Sequence, residues 1–171
     1  MGCFLFERID MKEIKLTQNK IALIDSSDFE YFNQFKWSAV KINSTFYAKR
    51  SIRLANGKQT AIYMHREILN VPKGMETDHV DHRGLNNQRA NIRICTRQEN
   101  QMNRNSNRDS TSIFKGVSWE KDRRKWQTQI KYKGKSKHLG RFFSETEAAL
   151  AYDKKAKELF GEFARLNKII K

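Results

Sequence analysis

Residues 77–100 read TDHVDHRGLNNQRANIRICTRQEN. Carboxylates, histidines and asparagines crowd around only three β-branched residues, Val80, Ile92 and Ile94. A hydrophobic core has no use for such a set, whereas a metal centre does.

The local pattern predicts a geometry. Residues 76–80 are short and extended, DHRGLNNQRAN is a loop with Gly84 and two adjacent asparagines, and IRIC is a second short strand. TRQEN then opens a helix, with Thr96 as N-cap and Glu99 as its capping-box partner. This order predicts Asp78 and His79 on one strand and Asn100 on a helix packed behind it. Asp78 and Asn100 are oxygen donors, the type that suits a hard cation such as Mg2+. His79 points to the opposite face of a regular strand. Neutral imidazole can take a proton from water at cellular pH, provided a partner fixes its tautomer. Asn91, at the far end of the loop, is the candidate for shaping that arrangement.

These residues resemble the HNH endonuclease motif, the ββα-metal type of homing endonucleases in phages and mobile introns. The likeness rests on DH at 78–79, NN at 86–87, NIR at 91–93 and EN at 99–100, with MHREIL upstream and MNR downstream. It implies metal ligands at Asp78 and Asn100, a general base at His79 and a structural Asn91. Asn100 stands where the more familiar motif has His, which favours Mg2+ or Mn2+ over Zn2+. The implied reaction is phosphodiester hydrolysis, with water activated by His79 and Lewis-acid help from one cation. Arg93 or Arg97 is read as steadying the phosphate.

The neighbouring polar residues have plainer readings. Asp81 and His82 are turn residues, and a two-histidine zinc site from His79 and His82 lacks partners. Asn86 and Asn87 read as loop formers. His65, in MHR, reads as a structural, hydrogen-bonding histidine.

Composition points the same way. The 171 residues carry 34 Lys+Arg against 19 Asp+Glu, a net charge of +15, which favours a polyanionic partner. Double-stranded DNA is the expected one. A membrane surface would call for a basic amphipathic helix with exposed apolar residues, and none is visible. Cys3 and Cys95 form no CxxC pair, so a reducing cytoplasm is the default, that of a bacterial host if the chain is phage-encoded. A monomer is the expected state.

Outward from the centre, residues 1–12 read as an N-terminal extension and 13–104 as the nuclease domain with an N-terminal α+β region. KIALID is a short apolar run, and SSDFEYFNQF has a cap followed by Phe29, Phe32 and Phe35 at helical spacing. KWSAVKI and TFYAKRSI are strands joined at Asn43-Ser44, and Asn56-Gly57 signals a hairpin. The strand cations Lys41, Lys49, Arg50 and Arg53 are read as adding contacts to a DNA backbone. Residues 105–112 form a polar linker.

Residues 113–168 form a second module of three strands and one helix. Ser144 and Glu147 cap the helix, Gly161 stops it, and Ala148, Ala151, Tyr152, Lys155, Ala156 and Leu159 recur on one face. Between 113 and 141 ten Lys/Arg stand against two acids. Lys125, Gln127, Gln129 and Lys131 alternate onto one strand face, opposite Trp126, Thr128 and Ile130. Such a sheet can enter a major groove. GVSW, KWQTQI, LGRF, EAALAYDKKA and GEFARLN resemble the APETALA-two/ethylene-response-factor DNA-binding domain. From that resemblance and the charge pattern the DNA-contact candidates are Lys115, Ser118, Trp119, Lys121, Arg123, Arg124, Lys125, Gln127, Gln129, Lys131 and His138. His138 replaces a family Trp, and several family Arg positions hold Lys or Ser, so base preference does not carry over.

The expected fold is therefore α+β: a ββα-metal module behind an N-terminal α+β region, then a three-stranded antiparallel sheet packed on one helix. The expected function is a sequence-directed homing-type DNA endonuclease with His79 and Asn91 as catalytic residues. The alternative is a non-catalytic DNA-binding regulator; an RNA-binding protein would need aromatic residues exposed for stacking.

Overall fold

The computed structural model describes residues 10–103 and 110–169. Most of the expected extension at 1–12 and of the linker at 105–112, with Cys3, lies outside the described residues. The fold is α+β, with small antiparallel sheets and four helices among the described residues. The chain divides into two compact units, one ending at Thr96 and the other beginning at Arg97.

In the first unit, β1 (Met11–Lys15) pairs antiparallel with β2 (Ile21–Asp25), so Met11 and Lys12 of the expected extension belong to a strand. α1 (Ser26–Phe32) follows directly. The helix stops at Phe32, and Phe35 lies beyond it, since Trp37 takes the Phe32 carbonyl with its indole N–H at 2.9 Å. β3 (Ser38–Ile42), β4 (Thr45–Arg53) and β5 (Gln59–Tyr63) form an antiparallel sheet in that order. The Asn56-Gly57 turn is present, with Gly57 at φ 79° and its N–H on the Leu54 carbonyl. α2 (Met64–Ile68) follows, starting two residues earlier than REIL suggested. β6 (Glu76–His79) then pairs with β7 (Ile92–Cys95).

One core joins these elements. Ile24, Ala48 and Met64 are wholly enclosed, with Trp37 and Ile92 packed among them. Small residues at Ala22, Ala39 and Ala48 allow the sheet layers to approach. Burial of each large apolar side chain stabilises by about 1.5–3 kcal/mol.

The second unit begins with α3 (Arg97–Met102). β8 (Val117–Glu120), β9 (Lys125–Tyr132) and β10 (Lys135–Phe142) make an antiparallel sheet with β9 central, and α4 (Glu145–Phe160) lies on it. The first strand is shorter than IFKGVSWE implied, because Gly116 turns at φ 78°. A Cβ there would meet the Tyr152 ring at 2.1 Å, so only glycine fits. Ser144 accepts the Glu147 N–H, as the capping pattern predicts, and Gly161 ends the helix at φ 54°. The buried stripe of α4 is Ala148, Ala149, Tyr152, Ala156 and Phe160. Ala149 and Phe160 thus join the face, while Lys155 and Leu159 sit at its margin.

Candidate functional site

The loop between β6 and β7 is fastened to the first unit from below. Leu23 donates its N–H to the Leu85 carbonyl at 2.8 Å and accepts from the Asn87 N–H at 2.7 Å. Asp25 accepts the Arg89 N–H at 2.9 Å, and the Arg89 guanidinium forks onto Asp28. Gly84 lets the loop lie against β4, because a Cβ there would stand 2.6 Å from both the Phe46 carbonyl and the Tyr47 ring.

Within the loop, Asn91 is the brace. Its Oδ1 accepts the Asp81 N–H at 3.0 Å, and its Nδ2 donates to Asp81 Oδ1 at 2.9 Å and to the Asn86 carbonyl at 2.8 Å. Asp81 also accepts from Asn86 Nδ2 and from the Arg83 N–H. Burial pushes the Asp81 carboxyl upward, but the bonds from Asn86, Arg83 and Asn91 outweigh it and hold the pKa below its ordinary value. His82 turns at φ 64°. Asp81 and His82 therefore occupy the turn, where the sequence put them.

Asp78 and His79 are both buried and alternate across β6. Asp78 stands opposite Arg93 in the register, and Arg93 donates to Asp78 Oδ2 from Nε at 2.9 Å and from an Nη at 2.7 Å. Arg93, read from sequence as steadying a phosphate, is here the partner of the carboxylate. His79 stands opposite Ile92, on the core side. Its Nε2 lies 3.3 Å from Asn87 Oδ1. Asn87 directs its Nδ2 to the Leu85 carbonyl, so its carbonyl faces the ring. That orientation assigns the hydrogen to His79 Nε2 and the accepting lone pair to Nδ1. The side chain facing the imidazole is thus Asn87, wholly buried, whereas Asn91 shapes the loop.

Aromatic and imidazole rings enclose His79. His65 meets it edge-on at 5.1 Å and Tyr47 at 5.8 Å, while Tyr63 stacks on His65 at 5.6 Å. Burial lowers the His79 pKa, opposed by the Asn87 bond and the charges of Asp81 and Asp78, so the neutral ring is favoured. Burial, then the neighbouring His79 and Arg66, push His65 down to about 3. Among the described residues His65 Nδ1 has no hydrogen-bond partner, and the ring packs against Tyr47, Tyr63 and His79.

Asn100 lies half-buried on α3, in the second unit. The described residues hold no group of three or more His, Cys, Asp or Glu side chains arranged for a metal. Asp78 on the first unit and Asn100 on the second are both oxygen donors, the donor type that suits a hard cation.

The DNA-contact candidates divide by register. Ser118 faces Gln127 and accepts its Nε2 at 3.2 Å, and His138 faces Gln129. Gln129, Lys131 and His138 are exposed on the face away from α4, while Thr128 and Ile130 are buried beneath it. Lys121, Arg123 and Arg124 are exposed around the β8–β9 turn, with Arg123 paired to Glu120. Lys125 sets its ammonium over the Phe143 ring. Trp119 pairs with Trp126 across the strands and so lies on the helix side of the sheet, at its edge, apart from the Gln129 row. The Lys115 ammonium donates to the Met102 carbonyl, an internal contact. In the first unit Arg50 is likewise committed: it forks onto Glu67 and lies over the Phe35 ring at 4.0 Å.

Sequence reasoning missed Tyr47 and the inward role of Asn87. Nothing in TFYAKRSI distinguishes the site-facing aromatic from the core-facing one, and NN is ordinary loop composition.

The fold and site define a two-unit α+β protein with a carboxylate and an imidazole at neighbouring positions of one strand. No protein-family model and no solved structure matches the chain. Over 95 residues it is 35% identical to Protein 3.8 of Escherichia phage T7, covering 56% of this chain and 78% of that protein. The chain belongs to the family of that phage protein. Over 99 residues it is 32% identical to a protein of Acanthamoeba polyphaga mimivirus named as an uncharacterized HNH endonuclease, covering 58% of this chain and half of the relative's length.

Proposed function

We propose that this protein is an HNH-type, sequence-directed DNA endonuclease of the homing kind. The observation that carries the reading is the pairing on β6 of a buried carboxylate, Asp78, with a buried imidazole, His79, whose tautomer is set by Asn87. The similarity to the mimivirus protein named as an HNH endonuclease supports it.

His79 takes the proton of the attacking water at Nδ1, and Asn87 keeps the opposite nitrogen protonated. Exclusion of solvent by Tyr47 and His65 favours the neutral, accepting form. Asn91 keeps the loop from drifting away from the imidazole. Asp78 would hold a divalent cation, Mg2+ or Mn2+, and the resemblance implies Asn100 as an oxygen donor of the same kind. Such a cation, when bound, supplies Lewis-acid stabilisation of charge on the phosphate. The second unit, likened to an ethylene-response-factor domain, would tether the nuclease through Gln129, Lys131 and His138.

The test is nicking of supercoiled plasmid in Mg2+, with and without EDTA, followed by mapping of the new ends. Nicking that EDTA abolishes, and that His79→Ala lowers by roughly 10²–10⁴-fold without loss of DNA binding, is the expected result. Binding without any nicking would leave a DNA-binding regulator, the reading that the exposed polar face of β9 and β10 favours.

A further inference from the structure

From Tyr31 to Arg66 the chain carries seven Lys/Arg and no Asp or Glu. The whole β3–β4–β5 sheet falls inside that stretch, and its register sorts the cations by face. Ala48 is buried in the core and Arg50 packs on Phe35 and Trp37. Tyr47, Lys49, Ser51 and Arg53 alternate onto the other face. Ser51 pairs with Ala61 and Arg53 with Gln59, and all four are exposed. Among the described residues neither Lys49 nor Arg53 makes an ion pair. Small side chains at Ser51 and Ala61 leave the surface flat between the two cations. The other end of the face is Tyr47, whose ring meets His79.

We propose that this face is a contact surface for the phosphate backbone of duplex DNA, leading the strand to His79. The proposal rests on the reading of His79 as the cleavage site. Lys49 and Arg53 stand about 13 Å apart along β4, comparable to the ~12 Å width of a major groove, so each meets a different phosphate. The two unpaired cations supply charge complementarity, and Tyr47 supplies continuity with the site. The nuclease unit thus grips DNA itself, independently of the tether in the second unit.

The test uses the full chain with Lys49→Gln and Arg53→Gln together. Binding of a fluorescein-labelled random-sequence duplex is followed by anisotropy in EDTA over a range of salt. Removing one cation that neutralises a phosphate lowers the slope of log affinity against log salt by about 0.9, so the double variant should show a slope smaller by up to about 1.8. Lys12→Gln with Lys15→Gln removes equal charge from exposed positions of β1 and should leave the slope unchanged. In nicking assays the Lys49/Arg53 variant should raise KM and leave kcat unchanged. A wild-type slope, or one equal to that of the β1 variant, would overturn the proposal, as would an effect on duplex RNA but none on DNA. If the double variant does not fold, Arg53→Gln alone should lower the slope by about 0.9. A lowered slope in a protein that never nicks would preserve the surface and remove the cleavage reading instead.

Discussion

Asn87 holds its side-chain carbonyl 3.3 Å from Nε2 of His79, and both residues are buried. The Asn87 backbone is tied to β2 through the Leu23 carbonyl, so the position of the imidazole's partner is set by a strand more than sixty residues upstream in the chain. Replacing Asn87 by Ala should lower the nicking rate and destabilise the fold by about 1–3 kcal/mol, the cost of leaving a buried polar group unmatched. Asn87→Asp places a carboxylate beside the ring and favours imidazolium. The acid limb of its pH–rate profile should move to higher pH, and an unmoved limb would show that Asn87 does not face the base.

Arg93 and Asp78 form an ion pair with little exposure, 17% and 6% for the two side chains. Breaking such a pair from one side costs about 3–5 kcal/mol. Arg93→Ala should lower the urea midpoint accordingly, whereas substitution of an exposed surface lysine such as Lys58 should change it little. Equal midpoints for the two variants would mean that the pair is not formed in solution.

Metal binding has a readout separate from catalysis. A cation that binds only the folded chain raises Tm by mass action. Mg2+ should therefore stabilise the wild type in a concentration-dependent way, and Asp78→Asn should abolish the rise. A rise that survives in Asp78→Asn would place the ion elsewhere.

His65 gives the fold a pH dependence. Its folded pKa lies near 3 against an ordinary value of 6.5, so between these values the unfolded chain binds more protons. The stabilising contribution is complete above pH 6.5 and is lost as pH falls towards 3, and it amounts to several kcal/mol. His79 adds to the loss in the same direction. His65→Phe keeps the ring stack on Tyr63 and should flatten the fall of Tm between pH 6.5 and 4, measured by calorimetry. An unchanged fall would mean that His65 is protonated in the native state.

Lys131 is exposed on the outward face of β9, beside Gln129. If it meets a phosphate, Lys131→Gln should weaken binding uniformly across sequences and reduce the salt slope by about one. Gln129→Ala should instead relax preference at one base pair, at a cost of about 1–3 kcal/mol. Indistinguishable behaviour of the two variants would argue against a base-reading role for Gln129.

Much of the architecture was legible because its signals are local. The Asn56-Gly57 hairpin forms with Gly57 alone at positive φ while Asn56 accepts the Lys58 N–H with its side chain, Ser144 caps α4 through a bond three residues away, and the alternation around Gln129 follows from the pleat. The adjacency of Asp78 and His79 is likewise a property of one strand, and burial of both alternating faces is what sequence could not foresee. The partners were decided by tertiary structure. Asn87 turns inward because Leu23 fixes its backbone, and Tyr47 reaches His79 because Gly84 lets the loop close on β4. Arg93 meets Asp78 because β6 and β7 pair in that register and no other. Sequence alone determined which chemical groups are available and how short segments bend. Their encounters depend on contacts between residues far apart in the chain, whose closure is favourable only once the shared core of Ile24, Ala48 and Met64 has formed.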